Sequence, residues 1–449
     1  MQDGKKGWNP RFLLMMIVVC LVWSLSLGGF NIVQGSEQTY KGLKMFSDVI
    51  EIIERNYVDP VESEKLIHGA IQGMVSSLDP HSAFMPPDVY NELQIDTRGE
   101  FGGIGIVISV RQGFLTVVAP IEGTPASRAG IKAMDRILEV DGEVTKDMTV
   151  MEAVKKMRGP KGTEVTLTIM RDDFEKSREF SLVRDIIPID SVHYTSLKPG
   201  YGYIRVTNFQ DNTQNELIKA LDDLASGEQA LKGVILDLRD NPGGLLGQAV
   251  SAADLFLKDG DIVSMKGRQN KHTKVYRAHP DGMEGDFSMV VLINSGSASA
   301  SEILAGALQD HGRAVVLGTT SFGKGSVQSV EPLREGYGIK LTIAKYYTPS
   351  GRSIQAEGIV PDITVRAGTV ELVPVDQETK RITEADLQNH LDGDREGEDD
   401  EEAESGEEGA DSADETVAYG ELSVERLMKD FQVNRALEIM IGHHILSGK

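Results

Sequence analysis

Met289-Val-Val-Leu-Ile-Asn-Ser-Gly-Ser-Ala-Ser-Ala-Ser-Glu302 runs from five apolar residues, through a string of small ones, into a helical start. The apolar run does not alternate, which is the pattern of a strand buried on both faces. A hydroxyl at the strand–helix junction stands at the carboxyl end of a strand, where α/β sheets open their ligand crevices. The unpaired N–H groups of the helix start favour an oxyanion that develops there. The same residues, Ser299-Ala-Ser-Glu302, also spell a capping box, which accounts for a serine without any chemistry. The two readings are compatible, because a capping hydroxyl also faces free N–H groups.

Working outward, Val234-Ile-Leu236 is a second continuous apolar run, and Leu245–Leu257 and Ser301–Leu308 have helical spacing. Strand, loop and helix repeat, so residues 186–370 are expected to form an α/β layered core. That core is expected to end in a hairpin, Val327–Leu333 with Ile339–Tyr346, joined through Glu335-Gly336. Two further loops carry chemistry. Asp237-Leu-Arg-Asp-Asn-Pro-Gly-Gly244 ends a buried strand in glycines whose N–H groups are unhindered, as an oxyanion hole requires. Ser321-Phe-Gly-Lys-Gly-Ser-Val-Gln328 sets Lys324 between glycines that permit close backbone approach. A lysine desolvated beside Ser299 would lose its proton readily and serve as a base. Gln328 could orient its amine through the side-chain carbonyl. Each loop alone is also an ordinary turn.

From Gly99 to Asp185 the apolar period is two, as in Ile104, Ile106, Ile108 and Val110. One amphipathic helix, Thr149 to Met157, interrupts it, with Thr149 as its start signal. Residues 36–98 have helical spacing broken by Asp59-Pro60 and Asp79-Pro80.

The chain has 449 residues, a formal net charge of -23 and one cysteine, Cys20. Fourteen acidic residues against one arginine crowd Leu391–Glu415, so that stretch holds -13 of the total. The segment 371–418 is therefore expected to be disordered, and helical spacing returns in 419–449. No basic stripe suggests nucleic acid. No H-E-x-x-H occurs and no cysteine cluster can form, so neither a metal nor a cofactor is expected. Lys5, Lys6 and Arg11 precede an apolar run from Phe12 to Leu27 that continues less purely to Val33. Residues 1–35 thus read as an export signal, with an uncleaved anchor favoured over a cleaved peptide. The protein is expected at the extracytoplasmic face of a membrane or in the periplasm.

Taken together, the motifs resemble C-terminal processing peptidases, also called tail-specific proteases, from about Tyr40 to about Val365. The shared elements are Ser76-Ser-Leu-Asp-Pro-His81, Leu236–Gly244, Gly296–Glu302, Phe322–Gln328 and Gly358–Asp362. The resemblance implies an α+β multidomain protein: a helical region, a PDZ-like domain over 99–185 and a crotonase-like Ser/Lys peptidase core. It implies Ser299 as nucleophile, with Ser297 and Ser301 as decoys, Lys324 as base and Gln328 in support. It places the oxyanion hole on Ala300 with Gly243 or Gly244. Gly102-Gly-Ile-Gly105 matches a PDZ carboxylate-binding loop, and Gly123–Gly130 and Arg136–Gly142 strengthen that match. Protein or peptide C-termini are then the expected partners, with a homo-oligomer open, and Arg158 is the candidate for coupling tail binding to catalysis. A non-catalytic PDZ adaptor and a hydratase- or thioesterase-like enzyme are the competing readings.

Overall fold

The computed structural model describes residues 37–369 and 422–447, apart from 147, 172, 228, 269–270 and 281–283. The export-type segment 1–35 with Cys20, and the acidic segment 371–418, lie outside the described residues. Among the described residues no helix is long and apolar enough to cross a membrane.

The chain divides into two units, one running to Phe84 with Ile339–Leu341, the other comprising Met85–Gly338 and Thr342–Lys449. The first contains helices over 37–56 and Ser63–Ser76. The helix Pro87–Arg98, grouped by its spacing with those two, belongs instead to the second unit. Its ties there include Lys155 to Asp88 and the Asp211 N–H to the Thr97 carbonyl.

In the second unit, a six-stranded sheet runs in the order Val192–Lys198, Tyr201–Val206, Gly233–Asp237, Ser288–Ile293, Val315–Gly318, Ile363–Thr364. The first pair is antiparallel and every later pair is parallel. The continuous apolar runs lie at its centre because both faces are covered. One face packs on helices Thr213–Ala225, Leu246–Asp254 and Ala300–Asp310 through Leu217, Leu221, Ala252, Ile303 and Leu304. The other is covered by the C-terminal segment, whose helix Phe431–Ser447 buries Val433, Ala436, Leu437 and Met440 against Ile235, Val290 and Leu292. Spacing of three, one and three puts those four on one helical face. Full burial is worth about 1.5–3 kcal/mol for each of the larger side chains, so the chain's last helix is an integral part of the core.

The helix Ala300–Asp310 is buried from Ala300 through Leu308. Small residues make that packing feasible: a Cβ at Gly306 would stand 2.9 Å from Ile359 and 3.1 Å from Thr348. The expected hairpin is present as Ser326–Pro332 and Gly338–Tyr347, turning at Arg334–Gly336 with Glu335 at φ 58°.

The β-rich part has its own core of Ile104, Leu115, Val117, Ile137, Leu167 and Ile169. Its helix, Val150–Met157, starts at Thr149 as expected. A two-stranded antiparallel ribbon, Glu100–Gly103 with Asp185–Pro188, stands where the chain enters and leaves this part.

Candidate active site

Three adjacent parallel strands, Gly233–Asp237, Ser288–Ile293 and Val315–Gly318, end side by side. The loops that leave their carboxyl ends are the three quoted motifs. Parallel pairing therefore brings residues 238–244, 294–299 and 319–325 to one edge of the sheet, although they are 25 to 80 residues apart in sequence.

The first two loops are stitched together through Asn241, which is fully buried. Its side-chain amide donates to the Val206 carbonyl at 2.9 Å and its Oδ1 accepts from the Gly243 N–H at 2.9 Å. Its backbone carbonyl accepts from the Ala298 N–H and from the Ser301 hydroxyl, both at 3.0 Å. A Cβ at Gly243 would lie 2.8 Å from the Ala298 carbonyl, 2.9 Å from Ser299 Cβ and 3.0 Å from the Ala300 nitrogen. With φ at 107°, only glycine fits there without strain.

The three clustered serines differ in what their hydroxyls do. Ser297 donates to the Leu238 carbonyl at 2.8 Å and accepts from the Asn294 N–H at 3.0 Å. Ser301 donates to Asn241, and both serines are 0% exposed. Ser299 is 8% exposed, and its backbone has φ 55° and ψ -110°, a sparsely populated conformation for a residue with a Cβ. Residues held in such conformations cluster at functional sites. Ser299 nevertheless caps the helix Ala300–Asp310 in a capping box with Glu302, so the local reading of Ser299–Glu302 was also correct.

The third loop holds Lys324, half-buried, between Gly323 (φ 89°) and Gly325. Space at Gly325 is closed by Gln355, whose backbone nitrogen would lie 2.4 Å from an added Cβ. Gln328 is half-buried on the strand that follows, its amide donating to Ser326 Oγ at 2.8 Å. Glu302, noted in the sequence only as the far half of a cap, is the residue whose wider involvement sequence reasoning missed. It accepts hydrogen bonds from Ser321, Gly323 and Lys324 of this third loop, and no local pattern announces donors about 20 positions away.

A strained serine at a buried helix start, a glycine pressed against it and a lysine loop from the next strand thus meet at one end of the sheet. Comparisons with known proteins give the family. The chain is 44% identical over 389 residues to the carboxy-terminal-processing protease of Bartonella bacilliformis, covering 86% of this chain and 89% of that one. This chain belongs to the carboxy-terminal processing protease family. It is also 36% identical to the carboxy-terminal processing protease CtpA of Bacillus subtilis, over 78% of this chain and 75% of the relative. Family models match peptidase family S41 over 200–365, a PDZ domain over 92–170 and the activating protease CtpB N-terminal domain over 31–89. Among solved structures, the photosystem II D1 C-terminal processing protease matches at 30% identity and TM-score 0.42, over 72% of this chain and 92% of that one. The protein is thus a serine-type peptidase with a PDZ domain, and the adaptor and thioesterase readings fall away.

The protease ties its C-terminal segment to the Asp237–Gly244 loop. Arg239, 9% exposed, pairs with Asp237 through Nε (2.9 Å to Oδ1) and Nη2 (2.6 Å to Oδ2). Its Nη1 reaches Asp430 at 2.8 Å and Gln432 at 2.7 Å. Burial pulls its pKa down, but the hydrogen bonds and charge of Asp237 outweigh that and raise it. Tyr203, which donates to Asp237 at 2.7 Å, has its phenol pKa pushed up by burial and by the same carboxylate.

In the PDZ domain, the Ile104 carbonyl accepts from the Ala126 N–H at 2.9 Å, inside the domain. Planarity of the trans peptide turns the Gly105 N–H the opposite way. Gly105 has φ 74°, and its carbonyl accepts from the Ile121 N–H and the Thr124 hydroxyl. Gly102 and Gly103 pair with Ile186 and Asp185 in the ribbon. Arg158 stacks over the Phe101 ring, 4.6 Å from its centroid, against that same ribbon.

Proposed function

We propose that Ser299 is the nucleophile of this protease, Lys324 its base and Gln328 the group that orients the lysine amine. The observation that carries the choice is the contrast among the serines: Ser297 and Ser301 are 0% exposed with hydroxyls committed to backbone carbonyls, whereas Ser299, 8% exposed, is the least buried of the three and is strained. The Ser299 O–H bond breaks as its proton passes to neutral Lys324, and the oxygen bonds to the scissile carbonyl carbon. The carbonyl electron pair moves onto its oxygen, which the Ala300 N–H and a glycine N–H receive. Because the Gly243 N–H is committed to Asn241, Gly244 is the favoured glycine donor. Collapse breaks the C–N bond, Lys324 returns the proton to the leaving amine, and water repeats the sequence on the acyl-enzyme. The Gln328 amide nitrogen faces Ser326, which leaves its carbonyl oxygen to accept from the lysine.

The substrate class is proteins or peptides with an accessible C-terminus, held at Gly102-Gly-Ile-Gly105 and added as a strand beside Ile106–Arg111. Arg158, packed on the ribbon joining PDZ domain and core, couples occupancy to turnover. Residues 1–35 deliver the protein across a membrane and anchor it at the extracytoplasmic face. Tyr40, Leu43, Val49 and Ile52, exposed on the helix 37–56, offer a face for a second copy.

The test compares wild type, Ser299→Ala and Lys324→Ala on an unfolded protein with a free or amidated apolar C-terminus. Cleavage should need both residues and the free terminus. Equal cleavage by all three proteins would sink the mechanism, and indifference to amidation would sink tail recognition alone. Arg158→Ala should weaken stimulation by a tail peptide; unchanged stimulation removes Arg158 from the reading.

A further inference from the structure

The Glu302 carboxylate is fully buried and its lone pairs are heavily used. Oε2 accepts from the Ser299 N–H at 2.8 Å and the Lys324 N–H at 2.9 Å. Oε1 accepts from the Gly323 N–H at 2.6 Å and the Ser321 hydroxyl at 2.5 Å. A capping box requires only the first of these four bonds. The other three come from the loop that leaves the neighbouring strand and carries Lys324. A buried carboxylate is unfavourable unless donors satisfy it; here two loops supply them.

We infer that Glu302 is a positioning residue that sets the alignment of Ser299 with Lys324. One oxygen, Oε2, holds the main chain at both residues, so their separation is fixed by two short hydrogen bonds to a single atom. Oε1 then fixes the direction in which the lysine loop leaves, through Gly323 and Ser321. Ser321 extends the clamp, since its Oγ also accepts from the Ile359 N–H at 2.7 Å. Glu302 touches no substrate atom in this scheme, and its effect falls on turnover rather than on binding. The inference rests on the site roles proposed above.

The chemistry that makes the clamp also supplies its test. All four partners are donors, so only an acceptor at both positions satisfies them. Glutamine has nearly the same shape, but its NH2 group must face either two N–H donors, at the Oε2 position, or one N–H and a hydroxyl that has to reverse, at the Oε1 position, so at least one of the four bonds is lost. Kinetics of the full chain on a free-tailed protein substrate should therefore show kcat for Glu302→Gln about 100-fold lower, with KM within about threefold of wild type. Glu302→Asp keeps the acceptors but shortens the tether by a methylene, and kcat should fall about tenfold. Thermal unfolding and tail-peptide binding verify folding, and if the glutamine variant does not fold, the aspartate variant decides. A folded variant with kcat within about threefold of wild type, or a loss carried by KM, overturns the inference. Ser299→Ala in parallel separates the two claims: cleavage by that variant sinks the site reading, whereas an inactive Ser299→Ala beside an active Glu302→Gln sinks only the clamp.

Discussion

The helices Val150–Met157 and Ala300–Asp310 open on the same signature, Thr149-Val-Met-Glu152 in one and Ser299-Ala-Ser-Glu302 in the other. At Thr149 the backbone is relaxed, with φ -70° and ψ 156°. Glu152 accepts from the Thr149 N–H at 2.8 Å and from its hydroxyl at 2.9 Å, and Thr149 Oγ1 accepts from the Glu152 N–H at 3.2 Å. These bonds close on themselves at an exposed surface. At Ser299 the φ is positive, the box is buried, and the carboxylate reaches out to a second loop. The signature encodes the cap in both cases. What sets the second cap apart is the neighbouring strand, whose loop brings three further donors, Ser321, Gly323 and Lys324, to the same carboxylate.

The largest effect should come from the strained cap. Ser299→Ala is expected to lower kcat on the order of 10⁴-fold or more, by analogy with the loss of other serine nucleophiles. Ser299→Gly should be equally inactive yet more thermostable than the alanine variant by about 1 kcal/mol or more, because glycine alone relaxes at φ 55°. Calorimetry of the pair measures this, and equal stability would show that Ser299 stores no strain and so weaken the contrast with Thr149. Next comes Gly243→Ala. Its Cβ would press on Ser299 and Ala300 within 3.0 Å, so turnover should drop about 100-fold, with about 1–3 kcal/mol of stability lost. Normal turnover by a folded Gly243→Ala would mean that the Asn241–Gly244 loop does not shape the site.

Much of this was legible in the sequence where the signal is local. The buried strands announced themselves as unbroken apolar runs, the PDZ helix by its spacing and Thr149, and the hairpin by Glu335-Gly336. The loops of the candidate site were legible as glycine-rich strand ends. What escaped is non-local. Pro87–Arg98 has the spacing of the helices before it, and only its contacts with Lys155 and Asp211 assign it to the second unit. The last helix was legible only as helical spacing in 419–449, because its apolar face does not name the sheet it covers. Arg239 gave no hint that two of its three side-chain partners, Asp430 and Gln432, lie some 190 residues later. Glu302 looked complete as a cap, since a satisfied local motif leaves no residual signal of donors arriving from elsewhere.

The relaxed cap should give the smaller effects. Thr149→Ala is expected to cost the PDZ helix about 1 kcal/mol, the ordinary worth of an N-cap. The chemistry on a substrate bound without the PDZ domain should not change. A loss of kcat on such a substrate would mean that the two caps are not functionally separate. Smallest is the acid response of Glu152. The Thr149 N–H, then its hydroxyl, hold the carboxylate below its ordinary value of 4.5, with Lys156 adding a little. A depressed folded pKa means that the contribution is present above the unfolded value and is lost as pH falls through the folded one. The Thr149 amide resonance should therefore titrate with a midpoint below 4.5. The helix Val150–Met157 should fray at its start only on the acid side of that midpoint. A midpoint at or above the ordinary value would mean that Glu152 is not held by Thr149 in solution, leaving the capping geometry of the buried box without its exposed counterpart.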